Sequence, residues 1–177
     1  NIPKMKILIA NSKNWFKCCR DLKNNHEIKV ITEKKDLNHK ILNSFKPEII
    51  FFPHWNWEVS NEIFDKFICI VFHTSPLPFG RGGSPIQNLI LKGFKSSPVC
   101  ALKMVKELDA GPIYLTKKLN LDGTLKEILK GLDIIINSMI LEIIEELPKP
   151  KIQIGKVTTF KRLGAKDNKI PVNKYGH

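Results

Sequence analysis

The sequence lacks the features that mark membrane-spanning, secreted or zinc-binding proteins. No apolar run comes close to the roughly 20 residues that a membrane-spanning helix needs, and no secretory signal opens the chain. The 4 cysteines form no C-x-x-C pair and stand beside no histidine cluster, a spacing that argues against a structural zinc site. We therefore expect a cytoplasmic protein with reduced thiols and no metal.

Acidic residues are scarce beside basic ones, 17 against 29, which gives a net charge of +12. Such a charge suits an anionic partner, whether a nucleotide, a tRNA or a membrane surface. The abundance of Lys together with Ile and Asn is also the bias that an AT-rich genome produces. The charge therefore carries little weight by itself, and neither a nucleic-acid partner nor a membrane partner is expected.

The first half of the chain alternates short apolar runs with amphipathic stretches. The predicted strands are 6–10, 27–31, 48–52 and 67–72, and the predicted helices are 15–23, 37–45 and 60–65. Continuously apolar strands separated by helices are typical of a parallel sheet that is covered on both faces. The sequence thus predicts an α/β fold with a Rossmann-like, doubly wound and mostly parallel sheet.

A loop rich in Pro and Gly interrupts this alternation at residues 74–85. Ser84 followed by Pro85 predicts the capped start of a helix, which Gly93 should end. The elements expected beyond it are strands at 99–105 and 113–119, a tight turn at 108–112 and a long amphipathic helix at 124–147.

The long helix at 124–147 is followed by a basic stretch at the end of the sequence. Thr124 and Glu127 form a predicted capping box at its beginning. Residues 149–177 are strongly basic and show no clear period. We therefore expect one main domain at 1–148, and a basic tail at 149–177 that packs on this domain or extends from it.

Polar side chains follow three predicted strands where these strands end, in segments 53–57, 73–75 and 108–112. Ligands of doubly wound sheets bind at the carboxyl ends of the strands. Taken singly, His73 is more typical of a satisfied core histidine, and Asp109 of a turn residue that bonds its own backbone. Taken together, an imidazole and a carboxylate are the minimum for moving a proton between two amines.

Two segments resemble the signatures of folate-dependent formyltransferases. His73 opens the first, HTSPLPFGRGGSPIQ at 73–87, and Asp109 lies within the second, KMVKELDAGPI at 103–113. The two residues are separated as the family pattern requires, and the resemblance extends over about 48–124. It implies the formyltransferase fold and transfer of a formyl group from 10-formyltetrahydrofolate to a primary amine, without a metal.

The resemblance also implies roles for the two residues. The family histidine stabilises the developing oxyanion, and the aspartate holds the histidine and manages protons, which assigns His73 and Asp109 as catalytic. The family usually has Asn two residues before the histidine, where this chain has Val71, which cannot donate a hydrogen bond. Either the chain is a poor catalyst, or another donor fills this role. The candidates are Asn56 first, and then His54, Thr74 and Ser75.

Binding residues follow from the resemblance in the same way. The expected folate-binding residues are Phe52, His54, Trp55, Leu77, Phe79, Arg81, Gly82, Met104 and Leu108. The expected substrate-binding residues are Ser75, Lys161 and Arg162. For Arg81, simple solvation is the alternative to contact with the folate glutamate or a substrate phosphate. For Lys161 and Arg162, it is the alternative to contact with phosphates.

The resemblance favours the small sugar N-formyltransferases, with a nucleotide-linked amino sugar as the acceptor. Methionyl-tRNA formyltransferases carry a further C-terminal domain, for which this chain is too short. Glycinamide ribonucleotide transformylases have a glycine-rich loop after the first strand, where residues 11–15 contain no glycine. A non-catalytic folate- or nucleotide-binding module, which Val71 would explain, and a formyl-folate hydrolase remain alternatives. A homodimer is left open.

Overall fold

The structure is a computed structural model that describes residues 3–13, 16–17 and 22–164. Its strands are β1 (Lys6–Asn11), β2 (Glu27–Ile31), β3 (Ile49–His54), β4 (Ile68–Thr74), β5 (Arg81–Gly82), β6 (Ser96–Lys103), β7 (Ile113–Asn120) and β8 (Thr159–Phe160). Its helices are α1 (Leu22–Asn25), α2 (His39–Phe45), α3 (Asn61–Lys66), α4 (Pro85–Leu91) and α5 (Leu125–Glu146), with one 3-10 turn at Lys34–Asp36. None of these helices is long and apolar enough to cross a membrane.

Six strands form the central sheet in the order β2-β1-β3-β4-β6-β7. The first four are parallel to one another, whereas β6 pairs antiparallel with β4 and β7 antiparallel with β6. The antiparallel pairing of β7 with β6 follows from the short connection between these two strands, which has no room for a crossover helix. The predicted α/β fold with a mostly parallel sheet is confirmed.

Both faces of the sheet are covered, which explains the continuously apolar strands. In β1, Ile7 and Ile9 face the larger cluster, which α5 and α4 complete, whereas Leu8 and Ala10 face a smaller cluster that includes Leu42 of α2. Successive strand residues point to opposite faces, so a strand between two helical layers needs apolar side chains at every position. The predicted capping box of α5 is present.

Several element boundaries differ from the predictions. Most of the helix predicted at 15–23 lies outside the described residues. Helix α2 begins at His39 instead of 37, because the Asn38 side chain caps it by accepting from Ile41 N at 2.9 Å. Ser84 does not cap α4 through its side chain: it is left-handed, with φ 49°, and its hydroxyl accepts from Leu163 N at 3.1 Å.

Residues 151–163, which we call the strap, run back across the Pro/Gly loop. The strap begins with reciprocal backbone hydrogen bonds between Lys151 and Ile113 of 2.7 and 2.8 Å. It continues with Thr158 N donating to Pro78 O at 3.1 Å, and with the parallel pairing of β5 and β8. Phe160 buries its ring in the larger cluster. The domain boundary at residue 148 remains a prediction.

The turn between β6 and β7 depends on a close approach at Gly111. A Cβ there would lie 1.7 Å from the Lys103 carbonyl oxygen. We expect Gly111→Ala to lower the free energy of unfolding by about 2–4 kcal/mol, since the overlap is relieved only by moving the turn or β6. Urea denaturation measures this change.

Gly131→Ala in α5 is the matched control, because its new Cβ would be 3.4 Å from the nearest atom, Leu119 Cδ1. Alanine has the higher helix propensity, so this variant should change stability by less than about 1 kcal/mol. Equal stability of the Gly111→Ala variant and the wild type would contradict the close approach.

Candidate active site

His73 and Asp109 meet in the structure. His73 is the penultimate residue of β4, and Asp109 lies in the turn between β6 and β7. The His73 Nδ1 atom is 3.5 Å from Asp109 Oδ2, and the two side chains are 6% and 13% exposed. Lys103, at the end of β6, is opposite Ile70 of β4. The turn must therefore fold back along β4 to bring the carboxylate beside the imidazole.

The Pro/Gly loop orients both members of this pair. His73 Nε2 lies 2.7 Å from the Gly80 carbonyl oxygen. Since a carbonyl only accepts, Nε2 carries a proton, and Nδ1 is the atom that faces the carboxylate. Gly82 N donates to Asp109 Oδ2 at 3.0 Å. Because the neutral imidazole with Nε2–H leaves Nδ1 as an acceptor, a hydrogen bond between Nδ1 and Oδ2 requires one additional proton on the pair.

Two strap residues that the sequence analysis did not single out also contact this region. Gln153 Nε2 donates to the carbonyl oxygens of Asp109 and Gly111, at 2.7 and 2.9 Å. Thr158 Oγ1 accepts from Gly80 N at 2.8 Å. Nothing in the aperiodic, basic sequence of this segment indicates either contact.

The structure leaves the position of the usual family asparagine apolar. Val71 packs on the smaller cluster. Asn56 is exposed, while Thr74 and Ser75 are buried. None of these three side chains hydrogen-bonds His73 or Asp109 within the described part of the chain. The structure therefore does not bring the first candidate donor into contact with the pair.

The expected folate residues separate into two groups. Phe52, Trp55 and Met104 belong to the smaller cluster around Val71. The buried Trp55 Nε1 has no hydrogen-bond partner among the described residues. Leu108, in the turn before Asp109, is 69% exposed. Phe52 pairs with Val71 of β4, and Met104 N donates to the carbonyl oxygen of Cys69 in the same strand at 2.7 Å.

The second group lies under the strap. Leu77 lines a cavity of about 550 Å³ together with Tyr114 and Gln153, and this cavity does not include His73 or Asp109. Phe79 stacks on Phe94 at 5.7 Å and meets Phe160 edge-on at 5.5 Å. The Phe79 ring thus packs against two other aromatic rings. The sequence does not reveal this packing, because one of these rings, Phe160, belongs to the strap.

Arg81 is engaged with protein groups. Its side chain is only 12% exposed, and its Nε and Nη2 atoms donate to Gln153 Oε1 at 3.1 and 2.9 Å. Its Nη1 atom is 3.6 Å from a Glu107 carboxylate oxygen. Solvation, the alternative considered from the sequence, is wrong for this side chain, because burial and the Gln153 amide hold it.

The remaining expected residues differ in accessibility. Gly82 contributes its backbone N–H to Asp109, as given above. Ser75, expected to bind substrate, is completely buried, and its hydroxyl has no hydrogen-bond partner among the described residues. Lys161 and Arg162 are exposed, and Arg162 lies against Gly83, where a Cβ would be 2.8 Å from Arg162 Cβ.

Burial sets the ionisation of several groups near the sheet. It lowers the pKa of His54 to about 4, with the positive charge of Lys13 adding to the effect. Burial raises the pKa of the Cys69 thiol to about 12 and that of Cys100 to about 11, and both are free cysteines. The described residues contain no group of three or more side chains suited to hold a metal ion.

Comparison with known proteins identifies the family. No protein-family model matches the sequence. The solved structure of methionyl-tRNA formyltransferase from Clostridium thermocellum is 39% identical and has a TM-score of 0.85, over 92% of this chain and 74% of that one. The chain belongs to the formyltransferase family.

Other relatives define how much of a formyltransferase is present. Methionyl-tRNA formyltransferase from Thermotoga neapolitana is 32% identical over 143 residues, which are 72% of this chain and 46% of that protein. The chain thus spans about half the length of the curated relatives that it matches.

The expected nearness to the sugar enzymes does not hold. The formyltransferase PseJ from Anoxybacillus kamchatkensis, solved with a UDP-linked formamido sugar and tetrahydrofolate, is 19% identical with a TM-score of 0.68, over 87% of this chain and 84% of that one. Identity this low shows a shared fold alone. The family was predicted correctly, and the methionyl-tRNA formyltransferases are more similar to this chain than PseJ is.

The lowered pKa of His54 predicts a specific acid sensitivity. In the unfolded chain this imidazole binds a proton below pH 6.5, whereas in the folded protein it stays neutral until about pH 4. Acidification between these values therefore favours unfolding. Between pH 7.5 and 4, the wild type should lose up to about 3 kcal/mol more stability than His54→Gln. Urea denaturation across this range measures the difference, and parallel stability profiles would contradict it.

Proposed function

We propose that the protein transfers a formyl group from 10-formyltetrahydrofolate to a primary amine, with His73 and Asp109 at the reacting centre. The observation that carries the proposal is the 3.5 Å contact between the two side chains, one from each signature segment. Membership of the formyltransferase family supports the reaction class.

The chemistry requires one hydrogen-bond donor and one route for a proton. The acceptor amine attacks the formyl carbon, a new C–N bond forms, and the carbonyl oxygen becomes an oxyanion. In the proposed reaction, the His73 Nε2–H group exchanges its hydrogen bond to the Gly80 carbonyl for one to that oxyanion. The C–N bond to the folate nitrogen then breaks.

Asp109 completes the proton balance. The attacking amine loses one proton and the departing folate nitrogen gains one, so a group that accepts and returns a single proton is sufficient. Within the described part of the chain, the carboxylate contacts Gly82 N–H and the imidazole. These contacts hold it in one orientation, which is the condition for transfer over a short distance.

The residues around Val71 suit a flat heterocycle such as a pterin. Val71, Trp55 and Met104 are partly buried apolar side chains on one cluster. The buried Trp55 Nε1, which has no partner among the described residues, is a donor beside this apolar wall. Small-molecule sites combine such surfaces with a few directional polar groups. We propose that this group, together with the exposed Leu108, lines the folate site.

Methionyl-tRNA is the first acceptor that we propose. The relatives at 32–39% identity carry that name. The net charge of +12 is compatible with a polyanionic substrate. The sequence-based preference for an amino sugar depended partly on the length of the chain. Because the chain matches its curated relatives over only about half their length, its own length does not discriminate between acceptors.

A nucleotide-linked amino sugar is the second candidate acceptor. Lys161 and Arg162 are exposed, and Arg162 lies against Gly83 of the Pro/Gly loop. Two cations near the loop that orients the pair would suit a diphosphate. This arrangement keeps the sugar in the set of substrates to be tested.

The activity is tested with 10-formyltetrahydrofolate and each acceptor, while tetrahydrofolate release is followed. Release only with an acceptor supports transfer, release without one supports hydrolysis, and no release with any acceptor supports a non-catalytic module. His73→Ala should lower kcat at least about 100-fold because it removes the oxyanion donor. His39→Ala, on the surface of α2, is the control. A His73→Ala variant as active as the wild type would refute the assigned centre.

A further inference from the structure

We propose that Gln153 and Thr158 of the strap are positioning residues that hold the His73–Asp109 pair in register. The inference rests on the proposed function and adds to it a dependence on a segment outside both signatures. Each residue acts on one member of the pair, through a hydrogen bond to the backbone.

Gln153 acts on Asp109. Its amide nitrogen donates to the carbonyl oxygens of Asp109 and Gly111, at 2.7 and 2.9 Å. One side chain thus links the two residues that flank Ala110. Its amide oxygen accepts two hydrogen bonds from Arg81, whose backbone belongs to the Pro/Gly loop. Gln153 therefore ties the Asp109 turn to the loop that carries Gly80 and Gly82.

The Asp109 turn needs such a tie. Asp109 has a left-handed backbone with φ 54°, a conformation that costs an L-residue roughly 1–2 kcal/mol. The three residues before it, Lys106, Glu107 and Leu108, are exposed and bury little surface. The turn is thus strained and weakly packed, and external hydrogen bonds keep it in place.

Thr158 acts on His73 through a single residue, Gly80. Its Oγ1 accepts from Gly80 N at 2.8 Å, while the Gly80 carbonyl accepts from His73 Nε2 at 2.7 Å. Two neighbouring backbone hydrogen bonds, from Thr158 N to Pro78 O and from Arg81 N to Thr158 O, hold the strap next to Gly80. A shift of Gly80 would turn the imidazole away from Asp109.

The distances make the pair sensitive to small movements. At 3.5 Å, Nδ1 and Oδ2 are near the limit of a hydrogen bond. A displacement of about 1 Å in a reacting group can lower a rate on the order of 100-fold. Loss of either strap contact should therefore lower kcat more than it changes KM for the folate.

Two substitutions at Gln153 separate its contacts. Gln153→Met keeps the length of the side chain and removes all of its hydrogen bonds. Gln153→Glu keeps the acceptor for Arg81 but loses the amide donors to Asp109 and Gly111. We expect both variants to lower kcat about 10- to 100-fold, with KM for the folate within about twofold. Wild-type kcat in the Gln153→Glu variant would overturn the role assigned to Gln153.

Thr158→Val removes the acceptor for Gly80 N while keeping the shape of the side chain, and should lower kcat about tenfold. Thr158→Ser keeps the acceptor and should restore kcat to within about threefold of the wild type. Ile154→Ala is the matched control, since Ile154 lies on the same strap and is 85% exposed. Failure of the serine variant to restore activity would overturn the role assigned to Thr158.

A readout that does not depend on turnover separates this inference from the proposed function. The ring ¹⁵N signals of His73 are followed through a pH titration in each variant. Altered signals in Gln153→Met and Thr158→Val, but not in Ile154→Ala, support positioning even if the wild type transfers no formyl group. Unchanged His73 signals in both variants would overturn the proposed positioning role. A fall in activity without any change in these signals would then reflect a smaller amount of folded protein and not a shift of the pair.

Discussion

The candidate site depends on the closeness with which the loop at 80–83 lies against the strap. A Cβ at Gly80 would be 2.5 Å from the Phe160 ring, and one at Gly82 would be 2.7 Å from the Phe160 carbonyl oxygen. Both glycines also have positive φ, 77° and 98°, which side chains disfavour. Because these positions are bare, β5 can pair with β8. That pairing holds the Gly80 carbonyl and the Gly82 N–H where they meet His73 and Asp109.

Three segments far apart in sequence therefore build one centre, and each contributes a different physical property. The central strand β4 supplies a rigid support for His73. The turn after β6 supplies the carboxylate of Asp109 on a strained backbone. The strap adds no titrating group to the pair, yet Gln153 and Thr158 hydrogen-bond to the peptide groups that orient it. Division of this kind, with function on loops and precision from their supports, is common in enzymes.

The sequence predicted the parts of the structure that apolar patterning and signature residues determine. Strands such as Ile49–His54 were recognisable because burial on both faces demands apolar side chains throughout. His73 and Asp109 were found through their two segments. The sequence predicts a tail at 149–177 that packs on the domain or extends from it, but not the course of the strap, because one buried ring, Phe160, and backbone hydrogen bonds leave no periodic pattern. It likewise does not predict that the Phe79 ring meets Phe160 edge-on, or that the Ser84 hydroxyl accepts from Leu163 N instead of capping α4.

We propose that His73 and Asp109 act as one unit in formyl transfer, which a double-mutant cycle can decide. Transfer rates are measured for the wild type, His73→Ala, Asp109→Ala and the double variant. If the two groups act together, the double variant should be no more than about tenfold slower than the slower single variant. Losses that multiply, so that each substitution costs the same factor in either background, would contradict the claim.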